Sequence, residues 1–176
     1  GKHPADYLLD LALAEDLETQ FVNIGVMNGD PKAVEEIVKA PFCVPGVSDA
    51  GAHLETDCGV DFIAVLLGHW VRERGVMPLE EAVRRLTSMC AGLLGMTDRG
   101  LVSEGMAADL VMFDPATICA LPREFATDLP TGGRRIIQRA QGVKAVVVNG
   151  QVVIEDGKHT GAMPGMVLGR QPAKAA

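Results

Sequence analysis

The chain contains few of the residues that build metal clusters and disulfide frameworks. Only four histidines and four cysteines occur among its 176 residues, with no His-x-His pair and no Cys-x-x-Cys pair. Such scattered cysteines are typical of reduced thiols, and their spacing offers no metal site. We therefore expect a cytoplasmic protein in which four thiols stay free: Cys43, Cys58, Cys90 and Cys119.

Long apolar runs and an excess of positive charge are also missing. No stretch of about 18 apolar residues occurs, so we expect no transmembrane helix. The first six residues lack the basic-then-apolar layout of a secretory signal. The net charge of −7 argues against nucleic acid or an anionic membrane as a partner.

The chain does contain enough apolar residues for a core, with 48 % hydrophobic and 22 % charged residues. Up to about residue 95, helical periodicity alternates with short apolar runs. After that point strand patterns dominate, and Asn149-Gly150 is typical of a two-residue hairpin. The pattern predicts helices over 4–17, 31–39, 59–74 and 78–94, strands over 21–26, 42–44, 108–113, 135–141, 144–148 and 151–155, and a loop over 115–133.

The stretch VPGVSDAGAH, residues 44–53, places an acid and an imidazole four residues apart among small side chains. In α/β barrels, catalytic groups lie in the loops that follow the strands, and Asp49 follows a predicted strand. An acid in that place is able to ligate a metal or take a proton from a metal-bound water. It is equally able to cap a turn or the next helix, so the local sequence leaves both interpretations open.

Several motifs, taken together, resemble the C-terminal third of the amidohydrolase superfamily. Ser48-Asp49 is followed by His53, and then by the Asp98-Arg99-Gly100 turn, the GMAAD stretch of residues 105–109 and Val148-Asn149-Gly150. These follow the family's order and approximate spacing over nearly the whole chain. The nearest branch in this resemblance is that of the D-aminoacylases, or N-acyl-D-amino-acid deacylases.

The resemblance implies an α/β fold in which a (β/α)₈ barrel carries a small β-sandwich. Residues 1–95 would then be the last strand–helix units of the barrel, 96–160 a segment of the sandwich and 161–176 a surface tail. A complete barrel of this type takes about 250 residues. We therefore expect the chain to be a fragment of the full fold.

The resemblance also implies hydrolysis of a non-peptide C–N bond in a small-molecule amide by a metal-activated water, usually with zinc. Asp49 matches the aspartate after the eighth strand, whose family role is general base and metal contact. His53, in the same loop, is expected to contact substrate or support Asp49. The family's other ligands are a His-x-His pair, a bridging lysine or cysteine and two more histidines, so most zinc ligands are expected to be absent from this chain.

One departure and two alternatives remain. D-aminoacylases tend to carry an arginine later in this loop for the substrate carboxylate, whereas here Leu54-Glu55-Thr56-Asp57-Cys58-Gly59 follows. This weighs against an N-acyl-D-amino acid as substrate, but not against the amidohydrolase class. The alternatives are a cyclic-amide hydrolase as parent and a non-catalytic structural piece that self-associates through apolar faces.

Other residue types receive structural interpretations. His69 falls on an apolar helix face and is predicted to be a buried or half-buried structural histidine. Cys58 lies near Asp49 in sequence, but no base is assigned to activate its thiol. Four charged residues are predicted to form an exposed helix face, and three arginines a solvated strand edge: Glu80, Glu81, Arg84 and Arg85, and Arg134, Arg135 and Arg139.

Overall fold

The computed structural model describes residues 1–21, 28–46, 48, 50–51, 53–56 and 58–169. The chain divides into two compact units, Gly1–Val34 and Glu35–Ala176. Most of the predicted strand over 21–26 lies outside the described residues. Of the helices in the described part, none combines the length and the apolar content needed to cross a bilayer.

The first two helices begin at caps that the sequence supplies. Helix α1 spans Pro4–Ala14, and the His3 ring nitrogen Nδ1 accepts the Ala5 N–H at 3.3 Å. It ends earlier than predicted because Asp16 and Leu17 adopt positive φ angles of 52° and 64°. Helix α2 spans Pro31–Lys39 as predicted.

The next two helices contain stretches with the wider hydrogen bonding of a π-helix. Helix α3 comprises Phe62–Val65 and Leu66–Glu73, and helix α4 comprises Leu79–Arg84, Arg85–Met89 and Cys90–Leu93. Leu67 and Ala82 from these helices pack with Ile118 in a buried cluster. Gly68 makes this packing possible, because an added Cβ would lie 2.5 Å from the Ile118 carbonyl oxygen. Both predicted helices are confirmed to within a few residues.

The strands form two antiparallel arrangements. They span Leu110–Phe113 (β1), Cys119–Ala126 (β2), Arg135–Gln141 (β3), Val143–Val148 (β4), Gln151–Glu155 (β5) and Lys158–His159 (β6). The larger arrangement is a four-stranded sheet in the order β1-β4-β5-β6, and the smaller is the β2–β3 ribbon. Asn149 and Gly150 join β4 to β5 with φ angles of 45° and 79°, which confirms the predicted hairpin turn.

Two strand predictions are wrong, although the α/β class is confirmed. Strand β2 lies inside the predicted loop over 115–133, where Pro122 and the register shift between Ala120 and Arg123 hide the alternation. Residues 42–44 form a turn and irregular backbone instead of a strand. An apolar run needs a paired neighbour to become a strand, and no described strand pairs with this one.

The predicted exposed helix face is wrong at Arg85, which is buried with 5 % of its surface exposed. Its guanidinium donates to the carbonyl oxygens of Val38 at 2.7 Å, Ala40 at 3.0 Å and Lys39 at 3.2 Å. These carbonyls lie at the C-terminal end of α2, which a cation stabilises. Hydrogen bonds from Arg84 and Arg85 lower the pKa of Glu81 to about 2.

His69, predicted to be a buried or half-buried structural histidine, lies at the exposed end of that range. Its side chain is 48 % exposed, and Nδ1 lies 3.0 Å from Glu73 Oε2. The residue sits in the π-helical part of α3, where Arg74 N–H donates to the His69 carbonyl five residues back. A wider turn holds more residues than 3.6, so it shifts the apolar stripe that the sequence predicts.

Candidate active-site loop

The described residues between 48 and 59, which are 48, 50–51, 53–56 and 58–59, belong to a loop, the candidate active-site loop, whose two ends meet. An added Cβ on Gly59 would overlap the Ser48 carbonyl oxygen and lie 3.2 Å from the Ser48 carbonyl carbon. Only glycine permits this approach. The close contact between Gly59 and Ser48 closes the base of the loop, as in an Ω-loop. Asp49 follows Ser48 directly but lies outside the described residues, so its predicted roles as general base and metal ligand stay predictions.

Short-range hydrogen bonds shape the inside of this loop. The Ala50 N–H donates to Ser48 Oγ at 3.3 Å, and the Thr56 N–H donates to the His53 carbonyl at 3.0 Å. Gly51 has a φ of 94°, which residues with side chains rarely adopt. His53 stands exposed at the start of the second turn. Its predicted contact with substrate stays a prediction.

The far end of the loop lies against the β2–β3 ribbon. The Ile136 N–H donates to the Leu54 carbonyl at 2.7 Å, and Arg134 Nη2 lies 3.6 Å from Glu55 Oε2. The Arg134 guanidinium also lies 4.7 Å from the centre of the Phe125 ring on β2. The sequence analysis did not predict these contacts because they join distant segments, and no local sequence pattern indicates them.

A cavity of about 310 Å³ separates the loop side from strand β3. Cys58 in its wall is buried, with 4 % of its surface exposed, which is typical of an unreactive structural thiol. Gln138 Oε1 is buried and has no hydrogen-bond partner within the described part of the chain. The cavity is lined by Ala50, Gly51, Leu54, Cys58, Val60 and residues 135–138.

Arg135 contributes a cation to this cavity wall, but its guanidinium is paired with the Asp128 carboxylate. Its Nε and Nη2 atoms donate to the two Asp128 carboxylate oxygens at 2.7 and 2.8 Å. This pair lowers the pKa of Asp128 and raises the pKa of Arg135. Arg134 and Arg135 are 44 % and 40 % exposed, so both are solvated as predicted, and each is also paired with an acid.

The described residues by themselves do not form a metal centre. No group of three or more histidine, cysteine, aspartate or glutamate side chains comes together among them. All four cysteines are free thiols, as predicted. Because zinc sites in proteins need three or four such ligands, His53 and the described acids alone do not fit one.

The other motifs join in a motif network, made of Asp98, Arg99, Asp109 and Asn149. The Arg99 guanidinium pairs with Asp98 at 3.3 Å and with Asp109. Asp109 Oδ1 accepts the Asn149 N–H at 2.8 Å, and Asn149 Nδ2 donates to the Pro164 carbonyl at 2.8 Å. These contacts tie the turn after α4 to the β4–β5 hairpin, so the motif network has a structural role.

Comparison with known proteins relates the chain to deacylases. The sequence profile of the amidohydrolase family matches residues 5–154. Two Alcaligenes xylosoxydans xylosoxydans proteins are similar: D-aminoacylase is 40 % identical over 109 residues, covering 61 % of this chain and 20 % of that protein. N-acyl-D-glutamate deacylase is 35 % identical over 150 residues, covering 83 % and 28 %.

A solved structure gives a similar result. The N-acyl-D-glutamate deacylase of Bordetella bronchiseptica, complexed with zinc and a phosphonate inhibitor, matches with a TM-score of 0.55 and 32 % identity. The match covers 74 % of this chain and 27 % of that one. The chain thus spans between a fifth and three tenths of the length of these three relatives.

Proposed function

Because this chain belongs to the amidohydrolase family, we propose that it supplies the C-terminal part of a metal-dependent hydrolase that cleaves a non-peptide C–N bond. The observation that carries this proposal is the family match over residues 5–154, joined by relatives that are named as deacylases. In this proposal the helices belong to the last units of a (β/α)₈ barrel, and the strands after residue 96 to its small β-sandwich.

Asp49 is the proposed general base. Its carboxylate takes a proton from the attacking water and returns it to the leaving nitrogen as the C–N bond breaks. Support comes from its position in the sequence, between Ser48, which meets Gly59 at the base of the loop, and the cavity-lining residues Ala50 and Gly51. His53, exposed on the same loop, is the proposed substrate contact.

Zinc is the proposed cofactor, with Asp49 as one ligand. The described residues hold no group of three ligands, and the sequence has no His-x-His pair. We therefore propose that other parts of a complete barrel provide most of the ligands. Bound zinc would supply a water with a pKa lowered to about 7.

The proposed substrate is a small-molecule N-acyl amino acid of the kind that names the relatives. The test is a chimera in which residues 5–154 replace the matching segment of the Alcaligenes N-acyl-D-glutamate deacylase. We expect it to bind zinc and to release free amino acid from N-acetyl-D-amino acids, with L-isomers and a cyclic amide as comparison substrates. A folded, zinc-loaded chimera that leaves all three substrate classes intact would contradict the proposal.

Exposed apolar side chains support a second proposal, that this chain self-associates when studied alone. Val102 and Met163 are each 88 % exposed, and Leu93 is 69 % exposed. Where such side chains form a contiguous patch, they favour association in water. Light scattering on the purified chain tests this, and a monodisperse monomer would contradict it.

A further inference from the structure

The candidate active-site loop is attached to the rest of the fold at two places. Its base is closed by the approach of Gly59 to Ser48. At its far end, Leu54 contacts strand β3, and Glu55 contacts Arg134, the residue just before β3. A loop held only at its base can swing about that base. The contacts at the far end therefore determine how firmly the described residues between the two attachments are held in place.

The backbone contact extends the β2–β3 ribbon onto the loop. Within the ribbon, Ile136 pairs with Phe125 of β2. The Ile136 N–H donates to the Leu54 carbonyl at 2.7 Å, so the loop adds one hydrogen bond to β3. One such bond has a net value of only about 1 kcal/mol and does not by itself fix the loop.

The side-chain contact has an anchor on the ribbon. Arg134 lies with its guanidinium 4.7 Å from the Phe125 ring centre, which is within the range of a cation–π contact. The ring limits the directions that the long side chain can take, and in this one the guanidinium reaches Glu55 at 3.6 Å. This limit reduces the entropy that an exposed ion pair normally loses on forming.

From these contacts we propose that Arg134 is a positioning residue, which clamps the described residues of the candidate active-site loop onto the β2–β3 ribbon, and that the proposed activity of Asp49 and His53 depends on this clamp. The functional half of this statement rests on the proposed function. The clamp also explains the acid at Glu55, in the part of the loop where the resemblance leads one to expect an arginine. Glu55 pairs with Arg134, so its negative charge forms an ion pair within the protein.

Cys58 provides a readout of the clamp that does not depend on activity. It lies near the end of the loop and is only 4 % exposed. When the far end of the loop leaves β3, the Cys58 thiol becomes accessible to a maleimide. Mass spectrometry of the modified full chain distinguishes this thiol from Cys43, Cys90 and Cys119.

The test is a charge-reversal cycle on the full chain. Arg134→Glu and Glu55→Arg should each raise the Cys58 modification rate roughly 3- to 10-fold, since each replaces an attraction by a repulsion. The double variant restores an opposite-charge pair and should return the rate to within about 2-fold of the wild type. Arg139→Glu is the matched control, because Arg139 lies on the same ribbon and its Nε is paired, at 4.0 Å, with Glu124 of β2 rather than with a loop residue.

Two further variants guard the interpretation. Phe125→Leu keeps an apolar side chain but removes the ring, and should give a rate between those of the wild type and Arg134→Glu. Arg134→Lys keeps the charge and should give a smaller rise than Arg134→Glu. Thermal unfolding identifies any variant in which Cys58 is modified because the whole chain unfolds. The Cys58 modification rate should depend on salt in the wild type, and this dependence should be absent in variants that lack the Arg134–Glu55 ion pair.

The outcomes separate the two proposals. In the zinc-loaded chimera, Arg134→Glu should lower kcat more than it changes KM, and the double variant should recover kcat. An unchanged Cys58 rate in Arg134→Glu, or no recovery in the double variant, would overturn the clamp. If the Cys58 rates follow the cycle while no preparation hydrolyses an amide, the clamp stands and only the proposed function fails.

Discussion

The candidate active-site loop and the motif network both contain residues that carry the family resemblance, but the contacts of those residues differ. In the motif network, Arg99 pairs with Asp98 and Asp109, and Asp109 also accepts the Asn149 N–H. In the loop, backbone groups and Glu55 make the contacts, while His53 remains exposed. Resemblance at a motif therefore identifies residues with some role in the family. Their contacts are needed to tell a structural role from a catalytic or binding role.

The largest loss of stability is expected where the motif network meets helix α4. Gly100 has a φ of 91°, and an added Cβ would lie 2.8 Å from Ala91 Cβ and 3.1 Å from Ser88 Cα. Gly100→Ala should lower the free energy of unfolding by about 2–4 kcal/mol, through both backbone strain and overpacking. Urea unfolding measures this change.

A control separates strain from packing at that turn. Gly105 has a similar φ of 81°, but nothing lies within 4 Å of an added Cβ. Gly105→Ala should therefore cost only about 1 kcal/mol. Equal losses for the two variants would show that the contact of the turn with α4 contributes nothing.

A smaller loss of stability, with a local consequence, is expected at the base of the loop. Gly59→Ala places a methyl group on the Ser48 backbone and should cost about 1–3 kcal/mol. Because the base must open, the Cys58 thiol should also become more reactive. Gly46→Ala, where the nearest atom is 3.9 Å from an added Cβ, is the control. Unchanged Cys58 reactivity in Gly59→Ala would contradict a closed base.

The smallest effect is a pH dependence away from both regions. Hydrogen bonds from Arg84 and Arg85 hold the pKa of Glu81 at about 2, below its ordinary value of 4.5. As the pH falls, the Glu81 carboxylate therefore takes up its proton in the unfolded chain before it does so in the folded chain. The stability that this carboxylate contributes is complete above about pH 4.5 and is lost as the pH falls toward 2. Urea midpoints of the wild type should fall more steeply over this interval than those of Glu81→Gln. Parallel curves would contradict the assignment.

Local patterns predicted the elements whose signals are local. The Asp30-Pro31 start of α2 and the Asn149-Gly150 turn are confirmed because caps and two-residue turns depend on adjacent residues. Strand β2 escaped prediction because its pairing with β3, rather than its own alternation, makes it a strand. Arg85 escaped because its partners are carbonyl groups more than forty residues away.

The candidate site follows the same division. The resemblance identified Asp49 and His53, whereas the ribbon contacts of Leu54 and Glu55 emerged only from the structure. The notable departure from the family pattern, an acid where an arginine is expected, became interpretable once Arg134 was found beside Glu55. Tertiary partners of an acid cannot be read from its neighbours in sequence.

The measurement that tests the central claim most directly is kcat/KM for Asp49→Asn in the deacylase chimera, compared at equal zinc content. Asp16→Asn is the matched control, since Asp16 lies within residues 5–154, in an exposed turn at a φ of 52° that asparagine also adopts. We predict that Asp49→Asn lowers kcat/KM by about 10²- to 10⁴-fold and that the control retains activity. Retention of activity in Asp49→Asn would contradict the account.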